Sequence, residues 1–106
     1  MVEQSISLDT IFQALADNTR RDILKRVSKK PLSISELAEP YKMSFAAIAK
    51  HVAKLEAAKL VTKKREGKQQ IVEVSPKTIV TATRYLEQYK EVWEKRFDTL
   101  ENLLKE

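Results

Sequence analysis

A chain of 106 residues, 42% of them hydrophobic and with only three prolines and one glycine, is long enough for one compact core and reads as neither a linker nor a disordered tail. It has no cysteine, which excludes disulfides and thiolate metal sites, and no apolar run approaches the ~18 residues a membrane span needs. Met1-Val2-Glu3-Gln4 lacks a basic, apolar leader, so the expected compartment is the cytoplasm, with no membrane partner.

The net charge of +5 is concentrated rather than spread. Residues 1–39 carry six basic and six acidic side chains, and residues 76–106 again carry six of each. Residues 40–75 carry eight basic against three acidic, a surplus that equals the whole net charge. A neutral chain with a cationic middle third is the electrostatic footprint of a polyanion binder, the plainer alternative being a solvated basic face.

Residues 1–7 are expected to be an N-terminal extension. Leu8, Ile11, Phe12 and Leu15 then follow helical spacing, predicting a first helix over 8–16. Asp17 is placed as N-cap of a second helix over 17–29, with Ile23, Leu24 and Val27 inward and Arg20, Arg21, Lys25 and Arg26 outward. Lys29-Lys30-Pro31 ends it. Ser33-Ile34-Ser35-Glu36 is a capping box opening a short third helix. Pro40 stops that helix from running into a fourth, for which Ser44 is the N-cap. In the fourth helix Ile48, Val52 and Leu55 make a buried stripe while Lys50 and Lys54 project elsewhere, so residues 33–55 predict a helix-turn-helix whose second helix is held by one side and offered by the other.

After Leu60 the hydrophobic period changes from 3.6 to two. Residues 60–75 predict a hairpin with its tip at Glu66-Gly67-Lys68, Val72 and Val74 facing inward, and Lys63, Lys64, Arg65 and Lys68 crowding the tip. Such a hairpin directly after a recognition helix is a wing, placed to follow a neighbouring groove or backbone. Lys59 stands at the helix exit, where a left-handed residue would be cheapest as glycine. Pro76 suits the first turn of a last helix over 76–105. Ile79, Ala82, Leu86, Tyr89, Trp93, Phe97, Leu100 and Leu104 line one side of it at spacings of three and four. A helix of that length outruns a domain this small, so the rest of the stripe is expected to meet the same helix of a second copy; an intramolecular core or ligand pocket is the alternative.

Ala14-Leu15-Ala16-Asp17-Asn18-Thr19-Arg20-Arg21-Asp22-Ile23-Leu24, Glu36-Leu37-Ala38-Glu39-Pro40 and the run Met43 to Val52 resemble the ArsR-type winged-helix repressors. The last helix is similar to the cysteine-free, non-metal-sensing branch often associated with START-like (SRPBCC) proteins. The resemblance implies a mainly α winged helix-turn-helix with a small β-hairpin, α-α-α-α-β-β-α. It also implies a homodimer joined through the first and last helices at Leu8, Ile11, Phe12, Leu86, Tyr89, Trp93, Phe97, Leu100 and Leu104, repressing transcription from a pseudo-palindromic operator on double-stranded DNA. The family's base-reading positions fall on Phe45, Ala46, Ala49 and Lys50, flanked by Ser44, His51 and Lys54, and its wing contacts on Lys63 to Lys68. Many relatives carry Gln or Ser where this chain has Phe45, Ala46 and Ala49, which leaves methyl and phenyl packing on thymine methyls as the readout and Lys50 for guanine or phosphate. Phe45 has an alternative place as a plug in the core beneath the turn.

Metal sensing lacks its ligands, since no cysteine is present and His51 is the single histidine. No cofactor and no catalytic residue is expected either: there is no cysteine nucleophile, no serine poised with His51 and an acid, and no glycine-rich phosphate loop. A sequence-tolerant architectural DNA binder and a protein-interaction winged helix remain as other readings, and a sequestering protein or small-molecule effector is open as the means of release.

Overall fold

In the computed structural model, which describes residues 7–105, five helices and three strands follow one another along the chain. They are α1 (Leu8–Ala14), α2 (Asn18–Lys29), β1 (Leu32–Ser33), α3 (Ile34–Ala38), α4 (Phe45–Ala57), β2 (Val61–Glu66), β3 (Gln69–Val74) and α5 (Pro76–Lys105). Most of the expected N-terminal extension lies outside the described residues; Ser7 is the N-cap of α1, its Oγ accepting from the Thr10 N–H at 3.2 Å.

The helix starts are set by side chains that satisfy the orphan N–H groups of each first turn. Asp17 accepts from the Arg20 N–H at 3.0 Å, and Ser44 Oγ from the Ala47 N–H at 3.1 Å. Ser33 and Glu36 close the capping box in both directions, at 3.0 and 2.8 Å. The first helix ends at Ala14 rather than residue 16, because Asp17 must be extended (φ −134°, ψ 130°) to cap α2, which leaves Leu15 as the C-cap of α1.

Those carboxylates make the fold sensitive to acid. The backbone N–H of Arg20 holds Asp17 below its ordinary value of 3.8, and the backbone of Ser33 holds Glu36 below 4.5. A depressed native pKa adds stability that is complete above the ordinary value and lost as pH falls through the native one. The melting temperature is therefore expected to fall as pH is lowered from about 5 toward 3, and Glu36→Gln, already lacking that carboxylate, to fall less steeply. Parallel pH profiles for the two proteins would refute the assignment to Glu36.

The core is one cluster beneath α4. Ile48, Val52 and Leu55 of α4 are fully buried against Ile11, Ile23, Leu37, Leu60 and Val72 from the surrounding elements. β1 is an element the sequence reading did not contain. It pairs antiparallel with β3, Leu32 opposite Val72 and Ser33 opposite Ile71, so the expected hairpin is part of a three-stranded sheet in the order β1-β3-β2. Two residues are too few to display alternation, and Ser33 was already accounted for as a cap. The wing closes through a two-residue turn, with Glu66 opposite Gln69 and Gly67 at φ +62°, the sign pattern of a type II′ hairpin.

The exit of α4 is a Schellman turn: the Leu60 N–H donates to Leu55 O at 3.0 Å and the Lys59 N–H to Glu56 O at 2.9 Å. Lys59 is accordingly left-handed, at φ +61°. Fully buried Leu60 and Leu55 hold the turn from the apolar side, and the Thr78 hydroxyl donates to the Lys59 carbonyl. Lys59→Gly, which removes the Cβ penalty and keeps the turn, is expected to raise unfolding stability by roughly 0.5–1 kcal/mol. A loss of stability in denaturant titration would contradict the strain at this position.

α5 begins at Pro76 and buries only Thr78 and Ala82. From Leu86 to Lys105 every residue is exposed. The chain consequently extends 65 × 38 × 21 Å with a radius of gyration of 18.0 Å. A compact chain of this length would have about 13 Å.

Candidate nucleic-acid interface

Of the residues expected to read DNA, Ser44, Phe45, Ala46, Lys50 and Lys54 are exposed, and Ala49 is half-buried. Phe45 is 55% exposed, so it does not plug the core beneath the turn. Phe45 and Ala49, one turn apart, instead form one wall of a cleft of about 280 Å³. Its other wall is the wing, through Lys63, Arg65, Lys68, Gln69 and Gln70, and its floor is Ser33, Ile34 and Ser35.

The strand register explains which cations reach that cleft. Lys63 and Arg65 pair with Val72 and Gln70 on one face of the sheet, whereas Lys64 pairs with Ile71 on the other. The four expected wing cations are therefore not one patch: Lys63, Arg65 and Lys68 face the recognition helix, and Lys64 faces away. Lys63 is further tied to Glu56 of α4 at 3.3 Å, with only 27% of its side chain exposed, so it also braces the wing against the helix. Ser35, Gln69 and Gln70 were missed in the sequence because they carry no charge; the two-residue turn, which sets Gln70 opposite Arg65, is the signal from which Gln70 follows.

His51 is hydrogen-bonded within the chain through one ring nitrogen. Its Nδ1 turns toward α2, 3.3 Å from an Arg20 guanidinium nitrogen and 4.0 Å from Asp17 Oδ1, and its side chain is 21% exposed. It braces α4 against α2 through that nitrogen. Among the described residues, no group of three or more His, Cys, Asp or Glu is gathered to hold a metal ion, and no helix is long and apolar enough to cross a membrane.

Three arginines expected to point outward instead fasten the helices together. Arg20 donates to Ala14 O and Gln13 O (2.7 and 3.2 Å), Arg21 to Leu15 O (2.7 Å), and Arg26 to Leu37 O and Glu36 O (2.9 and 3.1 Å). They cap carbonyls at the C-terminal ends of α1 and α3, where the intrahelical N–H donors run out. Arg26 also lies 5.6 Å from the Tyr41 ring centroid, and the Tyr41 hydroxyl donates to Asp22, so the turn between α3 and α4 is pinned to α2.

Residues 15–64 match a helix-turn-helix domain family. The chain is 34% identical to the ArsR family transcriptional regulator RHA00566 in its crystal structure, with a TM-score of 0.75 over 82% of this chain and 90% of that one. The chain belongs to the ArsR family of transcriptional regulators. This ArsR-family chain is also 37% identical over 70 residues to the HTH-type transcriptional regulator Rv2034 of Mycobacterium tuberculosis; the match covers 66% of this chain and spans 65% of the curated relative's length. The homodimeric winged helix-turn-helix DNA-binding domain Mb0332 from Mycobacterium bovis shares the fold, with a TM-score of 0.65 at 19% identity over 79% of each chain. The family therefore agrees with the winged helix-turn-helix, mainly α with a small antiparallel sheet.

On α5, Leu86, Tyr89, Trp93, Phe97, Leu100 and Leu104 are all exposed, between 50% and 86%, and Val92 and Leu103 join them. Leu8 and Phe12 are half-buried at the α1 surface, Phe12 lying 6.0 Å from the Tyr85 ring of α5. Ile11, expected at the dimer interface, does not reach the surface. It is 0% exposed and packs in the chain's own core, so it has no surface to offer a second copy.

Proposed function

We propose that this ArsR-family chain is a homodimeric, metal-independent repressor that binds a pseudo-palindromic operator in double-stranded DNA. In this reading it belongs to the cysteine-free branch associated with START-like (SRPBCC) proteins and acts in the cytoplasm. The observation that carries the proposal is the cleft in which Phe45 and Ala49 of α4 face Lys63, Arg65 and Lys68 of the wing. A helix in the major groove with a wing beside it needs reading positions and backbone-contacting cations on one face, and the cleft brings them together. Homodimerisation is supported by the bare apolar stripe of α5 and by the homodimeric relative Mb0332.

Phe45, Ala46 and Ala49 offer no hydrogen-bonding side chain, so the bases they meet are read through methyl and phenyl contact, favouring thymine, while Lys50 and Lys54 reach guanine or phosphate. Release falls to a sequestering protein or a small-molecule effector. Selection from a random duplex pool, followed by competition of the winner against random duplex, tests the proposal. A symmetric sequence preferred by about 10³ or more is expected. Binding without preference would instead support a sequence-tolerant architectural protein, which the alanine-rich face also suits, and failure to retard any duplex at low salt would support a protein-interaction module.

A further inference from the structure

The Arg20 guanidinium is bonded to two different helices at once. Its Nε donates to Ala14 O at 2.7 Å and one terminal nitrogen to Gln13 O at 3.2 Å, both at the end of α1. The other terminal nitrogen lies 3.3 Å from His51 Nδ1 on α4, the orientation in which the imidazole keeps its proton on Nε2 and accepts. The arginine's own place is fixed from behind, since its backbone N–H is held by Asp17 at 3.0 Å, and Asp17 Oδ1 lies 4.0 Å from the same imidazole nitrogen. α1 in turn touches the base of α5 through Phe12 and Tyr85, at 6.0 Å.

These contacts form a continuous bracket from α5 through α1 and Arg20 to the recognition helix. From this geometry we infer that Arg20 is a positioning residue: it fixes the angle of α4 relative to the α1 and α5 dimer face, and with it the half-site spacing that the two recognition helices of a dimer accept. The inference rests on the dimeric reading given above. A planar fork spreads its donors over three nitrogens in fixed directions and so reaches acceptors on two helices, whereas the donors of a lysine radiate from one nitrogen on a flexible stem and cannot span them in a set geometry. Arg20 lies outside the cleft walls and does not need to touch DNA for this role. Its effect is on geometry, not on the strength of any single contact.

The test uses the full chain and a set of duplexes carrying two selected half-sites at the optimal spacing or displaced by two base pairs either way. The wild-type dimer is expected to favour the optimum by at least about tenfold, since displacement turns the second site away from its helix. Arg20→Lys is expected to compress that ratio to below about threefold, while a duplex with one half-site is bound within about twofold of wild type. Arg20→Ala should act in the same direction, with thermal melting of both variants showing which is folded. Combined with His51→Leu, the effect on the spacing ratio should be less than the sum of the two single effects, because both break one bracket. If Arg20→Lys and Arg20→Ala instead weaken every duplex by a common factor and keep the spacing optimum, the residue is only a helix fastener and the inference fails. A wild-type protein that sediments as a monomer would overturn the dimeric reading itself, and the inference with it.

Discussion

Glutamates at Leu86 and Phe97 together, Leu86→Glu and Phe97→Glu, are expected to convert the protein to a monomer whose sedimentation mass is that of one 12.2 kDa chain. Both residues are more than half exposed, 51% and 57%, on a stretch of α5 in which every residue from Leu86 to Lys105 is exposed. Carboxylates there face water in the monomer and cost little to its folding. In the proposed dimer they would be taken from water into an apolar seam without a partner, while the burial of two side chains worth about 1.5–3 kcal/mol each is lost in each chain. A dimer dissociation constant raised by about 10³ or more is the expected result, with the thermal unfolding of the winged helix preserved. Operator binding should fall with it, because a single reading helix no longer has its twin at a fixed distance. A dimer that survives both substitutions would move the interface to another face.

The second large effect is expected in the wing. Changing Lys63, Lys64 and Arg65 together to alanine should weaken binding to every duplex alike. If each contacts one phosphate, the dependence of log K on log salt should lose about 0.9 per contact, and affinity at 0.1 M salt about 10²- to 10³-fold for each half-site bound. The register refines that expectation residue by residue. Arg65 faces the cleft with no ion-pair partner among the described residues, whereas Lys63 is tied to Glu56 and Lys64 points from the opposite face. Arg65→Ala alone should therefore flatten the salt dependence more than Lys63→Ala. An unchanged slope in the triple variant would reject the wing as a phosphate contact.

How much of this was legible in the sequence depended on the range of the signal. Ile48, Val52 and Leu55 announced the buried face of α4 by spacing alone, and all three are fully buried. Ser33, Asp17 and Ser44 announced helix starts because capping involves residues only three apart. Lys59 was readable as an awkward helix exit, and its φ of +61° shows the awkwardness to be real. What was hidden involved partners distant in sequence. β1 is too short to show a period, and its partner lies some forty residues on. Arg20, Arg21 and Arg26 sit on the polar side of α2, where charge predicts solvent. Only the folded chain reveals that carbonyls of α1 and α3 wait there for donors. Ile11 fits the same helical stripe as Leu8 and Phe12, so spacing alone could not separate the core residue from those at the surface.

The proposed dimer holds two recognition helices at a set separation before DNA arrives. Because the chain has no cysteine, one introduced at Ala46, an exposed position of α4, gives a single spin-label site per chain without further changes. Pulsed electron-electron distance measurement on the labelled free protein is then the most direct test. A single narrow distance close to one turn of DNA, roughly 34–36 Å within the reach of the label linkers, is predicted. No dipolar signal, or a separation that cannot span adjacent major grooves on one face of a duplex, would contradict it.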